Sequence, residues 1–302
     1  MSVDLNKIST EARNPNTLDI DRISTKDILV KINNEDKLVP LAVEKAIPSI
    51  AVVVDKVVES FKKNGRLIYM GAGTSGRIGI LDAVECPPTY GVDYDMVMCL
   101  MAGGKDAFVK AKEGAEDSTT LPVEDLKNIN LNSNDIVIGI AASGRTPYVI
   151  SGVKYAASIG CNTACITTSK DSILSKTVKY PIEAITGAEA ITGSTRMKSG
   201  TAQKLICNMI STAAMIKMGK VYENLMIDLK PTNDKLVARS HKILMDALNI
   251  TNEEAIELLN KFRSVKSAIF AFLTGIDNIN EVEARLAKTG GNIREAIKDW
   301  KK

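Results

Sequence analysis

A chain of 302 residues with 45% hydrophobic and 25% charged residues has the composition of an ordinary globular protein with room for one or two buried cores, which excludes disorder and fibrous repeats. Its formal net charge of +3, from 39 basic and 36 acidic residues, is too small and too scattered for a nucleic-acid partner. The start has no apolar leader core and no run reaches the roughly 18 apolar residues of a membrane span, so a cytoplasmic protein without a membrane partner is expected.

In chain order, a polar lead-in gives way to Ser24 and Asp27, a capping pair that predicts a helix through "TKDILVKIN". The run "VPLAVEKAIPSIAVVVDKVVESFKKNG" predicts a second helix, entered near Pro40, broken or kinked at Pro48 and stopped at Gly65. Strands are expected over Leu67–Met70, Met96–Met101, Asp135–Ala141 and Asn162–Thr167. A turn and a helix follow each of the first three, and the first of these helices is expected to be short because Pro87 and Pro88 stop it. Short apolar strands alternating with helices define a doubly wound parallel α/β sheet, whose ligands gather at the carboxyl ends of the strands. Beyond about Leu229 only helices are expected, with a T-x-x-E box at Thr251 and Glu254 and a Gly-Gly turn in "EVEARLAKTGGNIREAIKDW". The expected division is an N-terminal helical arm over 1–50, an α/β domain over 51–228 and a small all-helical domain over 229–302.

Three loops at the expected carboxyl edge carry glycine and hydroxyls: "GAGTSGR", "AASGRTP" and "TGSTRMKSGT". Gly71, Gly73 and Gly76 fit the spacing of a dinucleotide turn, but the second strand ends in Ala102, Gly103 and Gly104 where the ribose-binding acid should stand. Thr74 with Ser75, Ser143 with Thr146, and Ser194 with Thr195 supply hydroxyls instead, which with helix N-terminal N–H groups suit the terminal phosphate of a phosphosugar. Plain structural turns are the alternative.

The single histidine, His241, lies in a helical stretch away from these loops, which weighs against serine triads and histidine metal sites. The five cysteines form no C-x-x-C and read as reduced, buried small hydrophobes. Acid and base work must then come from carboxylates, Lys, Tyr or Cys, and the carboxylates that stand out are Glu85, just before Cys86-Pro87-Pro88, and the "EGAED" cluster with Glu113, Glu116 and Asp117. The alternative makes Glu85 a turn cap and the cluster a solvated helix end. Cys86 as a nucleophile has no neighbouring base.

The "GAGTSGR" loop within "MGAGTSGRIGILDAVECPPTYG" resembles those typical of SIS (sugar isomerase) domains. Together with "AGGKDAFVKAKEGAEDS", "GIAASGRTPYVI" and "ITGSTRMKSGTAQKLICNMIST" it resembles the bacterial N-acetylmuramic acid 6-phosphate etherases. The resemblance runs from "DIDRIST" through "NLMIDLKPTNDKL" into the C-terminal helices, with a mild departure at Val84. It implies a lyase, working without metal or other cofactor, that releases D-lactate and N-acetylglucosamine 6-phosphate in cell-wall sugar recovery. It also implies that Glu85 and Glu116 are catalytic, Glu116 as base at C2 and Glu85 as acid to the leaving oxygen. Arg145, Arg196 and Lys198 are candidates for holding the lactyl carboxylate, with ordinary surface ion pairing as the alternative. The rivals are an aldose–ketose isomerase, which needs no acid at C3, and a sugar-phosphate-sensing regulator. A single SIS domain leaves one face of its site open, so a homodimer is expected.

Overall fold

The computed structural model describes residues 9–110, 112–229 and 234–301. The first eight residues of the expected arm, Ala111 and residues 230–233 of "NLMIDLKPTNDKL" lie outside the described residues. Helix α1 (Thr25–Asp36) starts where its capping pair predicts, with the Ser24 hydroxyl accepting the Asp27 N–H at 3.2 Å. Helix α2 (Leu38–Lys62) buries Val39, Val43, Ala46, Ile50, Val53, Val57 and Phe61, a stripe at three- and four-residue spacing. Pro48 does not break it. Both Pro48 and Glu44, four residues earlier, are exposed, so the carbonyl deprived of its donor is open to water. The helix ends at Asn64, which takes the left-handed conformation (φ 56°) while the Gly65 N–H bonds the Ser60 carbonyl at 2.9 Å. Gly65 is required for another reason: a Cβ there would stand 2.0 Å from the Asn134 carbonyl oxygen.

The sheet is doubly wound and wholly parallel, as the alternation predicts. Strands β1 (Leu67–Gly71), β2 (Val97–Met101), β3 (Ile136–Ile140), β4 (Asn162–Thr167) and β5 (Tyr180–Glu183) lie in the order β2-β1-β3-β4-β5. The sequence "YPIE" of β5 carries too little apolar pattern to be read as a strand, and its proline is tolerated because β5 is an edge. Leu67 pairs with both Val97 and Ile136, so the strands end level at Gly71, Met101 and Ile140. Between β1 and β3 the order of the strands reverses, which opens a crevice at their carboxyl ends.

Alternate side chains feed two faces. Ile68, Met70 and Val137 pack with Tyr148, Val149 and Val153 of helix α5 (Pro147–Ser158), while Leu126 of helix α4 (Leu121–Asn128) and Leu174 of helix α6 (Ile173–Thr177) close the same core. Tyr69 points the other way, toward helix α3 (Gly73–Tyr90), and donates to Asp82 at 3.0 Å. Ahead of β1 and β3, the Arg66 guanidinium meets the buried Asp135 carboxylate at 2.7 Å, and the Arg66 and Asn132 N–H groups complete its bonds.

Helix α3 is not short. It runs through Pro87 and Pro88 and is ended instead by Gly91, left-handed at φ 64°, whose N–H bonds the Pro87 carbonyl at 2.9 Å. The two missing amide donors are thus absorbed within a helix that still closes its last turn, and Glu85 is a residue of that helix rather than of the turn after it.

Asp82 is 5% exposed and accepts from Tyr69 and from Ser211 of helix α7 (Lys198–Lys217), each at 3.0 Å. Burial raises its carboxyl above the ordinary value, and the two hydroxyl bonds only partly offset that. An acid with a raised folded pKa contributes stability below its unfolded pKa and loses that contribution as pH rises through the folded value. Asp82→Asn, which keeps the shape without the charge, is therefore expected to be more stable than wild type by on the order of 1 kcal/mol at pH 7. In urea melts that gain should fall away on acidification and be gone once the pH is well below the ordinary carboxyl value of 3.8; a loss of stability at pH 7 would show that the charge is wanted.

Contacts divide the chain into two compact units, Met1–Val84 with Tyr94–Ser211, and Glu85–Asp93 with Thr212–Lys302. The elements above belong to the first, apart from the ends of α3 and α7. The second contains a hairpin missed in the sequence, β6 (Val221–Tyr222) with β7 (Leu225–Met226), turned at left-handed Glu223. Five helices follow: α8 (Asp234–Leu248), α9 (Asn252–Phe262), α10 (Val265–Thr274), α11 (Ile279–Lys288) and α12 (Ile293–Trp300). Leu244, Phe262, Ile269, Phe270, Val282 and Ile293 form their core. The capping box at Thr251 and Glu254 is complete, and Gly290 and Gly291 are both left-handed between α11 and α12. His241 is a half-buried residue of α8. Among the described residues no helix is long and apolar enough to cross a membrane.

Candidate active site

The crevice between β1 and β3 is built by two loops. A Cβ on Gly71 would lie 2.6 Å from the Gly76 nitrogen, and one on Gly76 would lie 2.9 Å from the Gly71 carbonyl oxygen. These two glycines therefore let the end of β1 touch the first turn of α3. Thr74 and Ser75 are carried onto the start of that helix, where the first backbone N–H groups have no intrahelical acceptors. The Ser75 hydroxyl donates to the buried Gln203 of α7 at 3.0 Å, which fixes its rotamer.

After β3 the chain turns at left-handed Gly144 and enters α5 through Thr146 and Pro147. Proline at the first helical position gives up only an N–H that a helix start leaves unpaired, and the Thr146 side chain makes no capping bond, so the remaining N–H groups of the first turn have no side-chain cap. Ser143, Arg145 and Thr146 are all half-buried at this corner.

The third loop behaves differently. The buried Glu189 carboxylate accepts the backbone N–H groups of Lys198 and Ser199, each at 2.9 Å, so the start of α7 already holds an anion of the chain's own. The Lys198 ammonium turns away from the loop to pair with buried Glu35 at 2.7 Å and donates to the Ala188 carbonyl at 3.0 Å.

Thr74, Ser75, Ser143, Arg145, Thr146, Thr195 and Glu116 converge on one cleft of about 460 Å³. Glu116 stands there as an exposed residue of a 3-10 turn, Ala115–Asp117, set up by left-handed Gly114. Ser194 is half-buried and donates its N–H to Ile191, Arg196 is exposed and Lys198 is buried; none of the three lines the cleft. Glu85 belongs to the second unit, as an exposed residue of α3. Thr10, Glu11 and Asp117 also line the cleft. Thr10 and Glu11 went unrecognised because their stretch is a polar lead-in without a pattern. Asn14 and Thr17 dock it by donating to the carbonyls of Ala188 and Ala190, at 3.2 and 2.9 Å.

Three carboxylates of the lining face one cation, Arg145, which makes no ion pair or hydrogen bond among the described residues. The cleft thus combines a guanidinium unpaired among the described residues, six hydroxyls and two open helix starts for an anion with a carboxylate that can take a proton. Four of the five cysteines are buried, and burial pushes the Cys161 and Cys165 thiols up to about 11 and about 12. Cys86 is among the buried ones, which disfavours it as a nucleophile.

Residues 124–213 match the SIS domain, and residues 49–157 match the glucokinase regulatory protein N-terminal SIS domain. The sheet and the crevice at its switch point are those of an SIS domain. A Clostridium botulinum strain Okra protein named N-acetylmuramic acid 6-phosphate etherase is 54% identical over 299 residues, covering 99% of each chain. A Vibrio campbellii protein of the same name is 53% identical over 289 residues, covering 95% of this chain and 94% of the other. The chain belongs to the N-acetylmuramic acid 6-phosphate etherase family. Among solved structures it is similar to a phosphoheptose isomerase from Neisseria gonorrhoeae, with 13% identity, a TM-score of 0.49 and coverage of 63% of this chain and 98% of that one.

Proposed function

We propose that this chain cleaves the D-lactyl ether of N-acetylmuramic acid 6-phosphate, giving N-acetylglucosamine 6-phosphate and D-lactate, by elimination across C2 and C3 followed by addition of water. The observation that carries the mechanism is Glu116, a carboxylate on the same cleft as the hydroxyls and the open starts of α3 and α5. The phosphate sits at those two helix starts, taking N–H groups and hydroxyls of Thr74, Ser75, Ser143 and Thr146, with Arg145 beside it. The start of α7 is not used, because Glu189 fills it.

Ring opening exposes the C1 aldehyde, which acidifies the C2 proton. Glu116 removes that proton, the electron pair forms the C2–C3 double bond and the C3–oxygen bond breaks. The departing lactyl oxygen takes a proton from an acid, so that it does not leave as an alkoxide. In this reading that acid is Glu85. Water then adds at C3, and a proton returns to C2. The enzyme works in the cytoplasm as a homodimer, in keeping with one SIS domain per chain.

The reading is tested by turnover in labelled water. In deuterium oxide the product sugar should carry deuterium at C2; in oxygen-18 water it should carry the label at C3, while D-lactate keeps the ether oxygen unlabelled. Label in the lactate instead would indicate cleavage on the lactyl side and rule out elimination. Tight phosphosugar binding without lactate would favour a regulatory protein.

A further inference from the structure

The proposed substrate carries a second anion, the lactyl carboxylate, and the main cleft offers a single cation for both. Lys198 is spoken for by Glu35 and Arg196 stands off the lining, so neither serves the carboxylate there. A smaller cavity of about 180 Å³ adjoins the cleft, and Ala72, Gly73 and Glu116 line both. Its other walls include Arg77 and Lys112. We infer that this cavity is the subsite for the lactyl carboxylate, with Arg77 as its principal ligand and Lys112 as a second cation; the inference rests on the etherase reading.

The Arg77 guanidinium is already set in place. Its Nε donates to the Phe108 carbonyl at 2.7 Å and its Nη2 to the Ala107 carbonyl at 2.9 Å, while Nη1 has no partner among the described residues. A half-buried guanidinium held by two carbonyls loses little freedom when a third acceptor arrives, so its remaining N–H groups are preorganised for a carboxylate. Lys112 packs its stem on Gly103, where a Cβ would meet the Lys112 Cβ at 2.9 Å, and so brings its ammonium stem along the same wall. Glu113 also lines the cavity, but it is exposed, and its charge can stay in water when an anion enters. Glu116 at the boundary of the two spaces divides the substrate sensibly. The phosphate lies on the hydroxyl side, the lactyl group on the Arg77 side, and the C2 proton faces the carboxylate between them.

The test compares two sugar phosphates that differ by the lactyl group. Arg77→Met should raise KM for N-acetylmuramic acid 6-phosphate by about ten- to a hundredfold, the worth of one charge-assisted hydrogen bond. Its Kd for N-acetylglucosamine 6-phosphate, measured by calorimetry, should stay within about twofold. Lys112→Gln should act in the same direction with a smaller change, and Arg77→Lys should recover part of the loss. Equal weakening of both ligands by Arg77→Met would mean that Arg77 only braces the Ala107–Phe108 turn, and an unchanged KM would remove it from the site; either result overturns the subsite. If wild type releases no lactate, the etherase reading has failed on its own. Direct binding then still judges the cavity: wild type must prefer the lactyl-bearing sugar, and Arg77→Met must abolish that preference.

Discussion

Glu116→Gln is expected to lower D-lactate release by about a hundred- to ten-thousandfold, the range lost when a positioned general base is removed, with the thermal midpoint unchanged. The second half follows from exposure: Glu116 sits on a solvent-facing 3-10 turn, so the amide removes a proton acceptor without opening a core. The variant should also stop deuterium exchange at C2. Glu85→Gln should lose lactate release comparably but keep C2 exchange, since proton removal precedes loss of the C3 oxygen. Exchange that survives in Glu116→Gln and disappears in Glu85→Gln would reverse the two roles. Lactate release within about threefold of wild type in Glu116→Gln would remove Glu116 from the chemistry altogether.

The largest effect on stability is expected at Lys198. Its ammonium and the Glu35 carboxylate are 2% and 5% exposed and 2.7 Å apart, and breaking such a pair by removing one member costs about 3–5 kcal/mol, because the other charge stays buried. Lys198→Met should lose that much in urea melts at pH 7, and Glu35→Leu/Lys198→Met should recover most of it. Burial works to raise the Glu35 carboxyl, but hydrogen bonds from Lys198, Asn16 and Asn14 outweigh it and leave the group below its ordinary value. A depressed carboxylate contributes stability above the unfolded pKa, near 4.5, and loses it as pH falls through the folded value. The advantage of wild type over Lys198→Met should therefore shrink on acidification below about pH 4.5. A loss under 1 kcal/mol at pH 7 would show that water reaches the pair.

The pattern of short apolar strands was enough to read four of the five strands of the parallel sheet, because strands buried on both faces need continuous apolar runs. It failed at "YPIE", where an edge strand needs few apolar residues and accepts a proline. It failed again at Pro87 and Pro88, where a local rule for stopping helices was overridden by the structure around α3. In the cleft, the clustering of hydroxyls beside glycine was legible because glycine-rich turns after parallel strands gather at one edge of the sheet. Lys198 misled for the opposite reason: its sequence neighbours are those of a binding loop, while its partner Glu35 is 163 residues away. Nothing local distinguishes a lysine that meets a substrate from one that meets a distant buried acid. Glu11 was invisible on the same grounds, since its place at the cleft depends on distant partners: Asn14 and Thr17 dock on Ala188 and Ala190, and the Gly193 N–H bonds the Thr10 carbonyl.

That docking also orders events during synthesis. Thr17 leaves the ribosome 173 residues before the Ala190 carbonyl it bonds, a delay of roughly 9–35 s at about 5–20 residues per second. For that time Asn14 and Thr17 lack the Ala188 and Ala190 acceptors, although the bond from Asn16 to Glu35 can form early and β1, β3 and their two loops are already made. The nascent chain should therefore acquire the corner of Thr74, Ser75, Ser143 and Thr146 first and the side bearing Thr10 and Glu11 last, and an arrested chain ending before Ala190 should lack that second side.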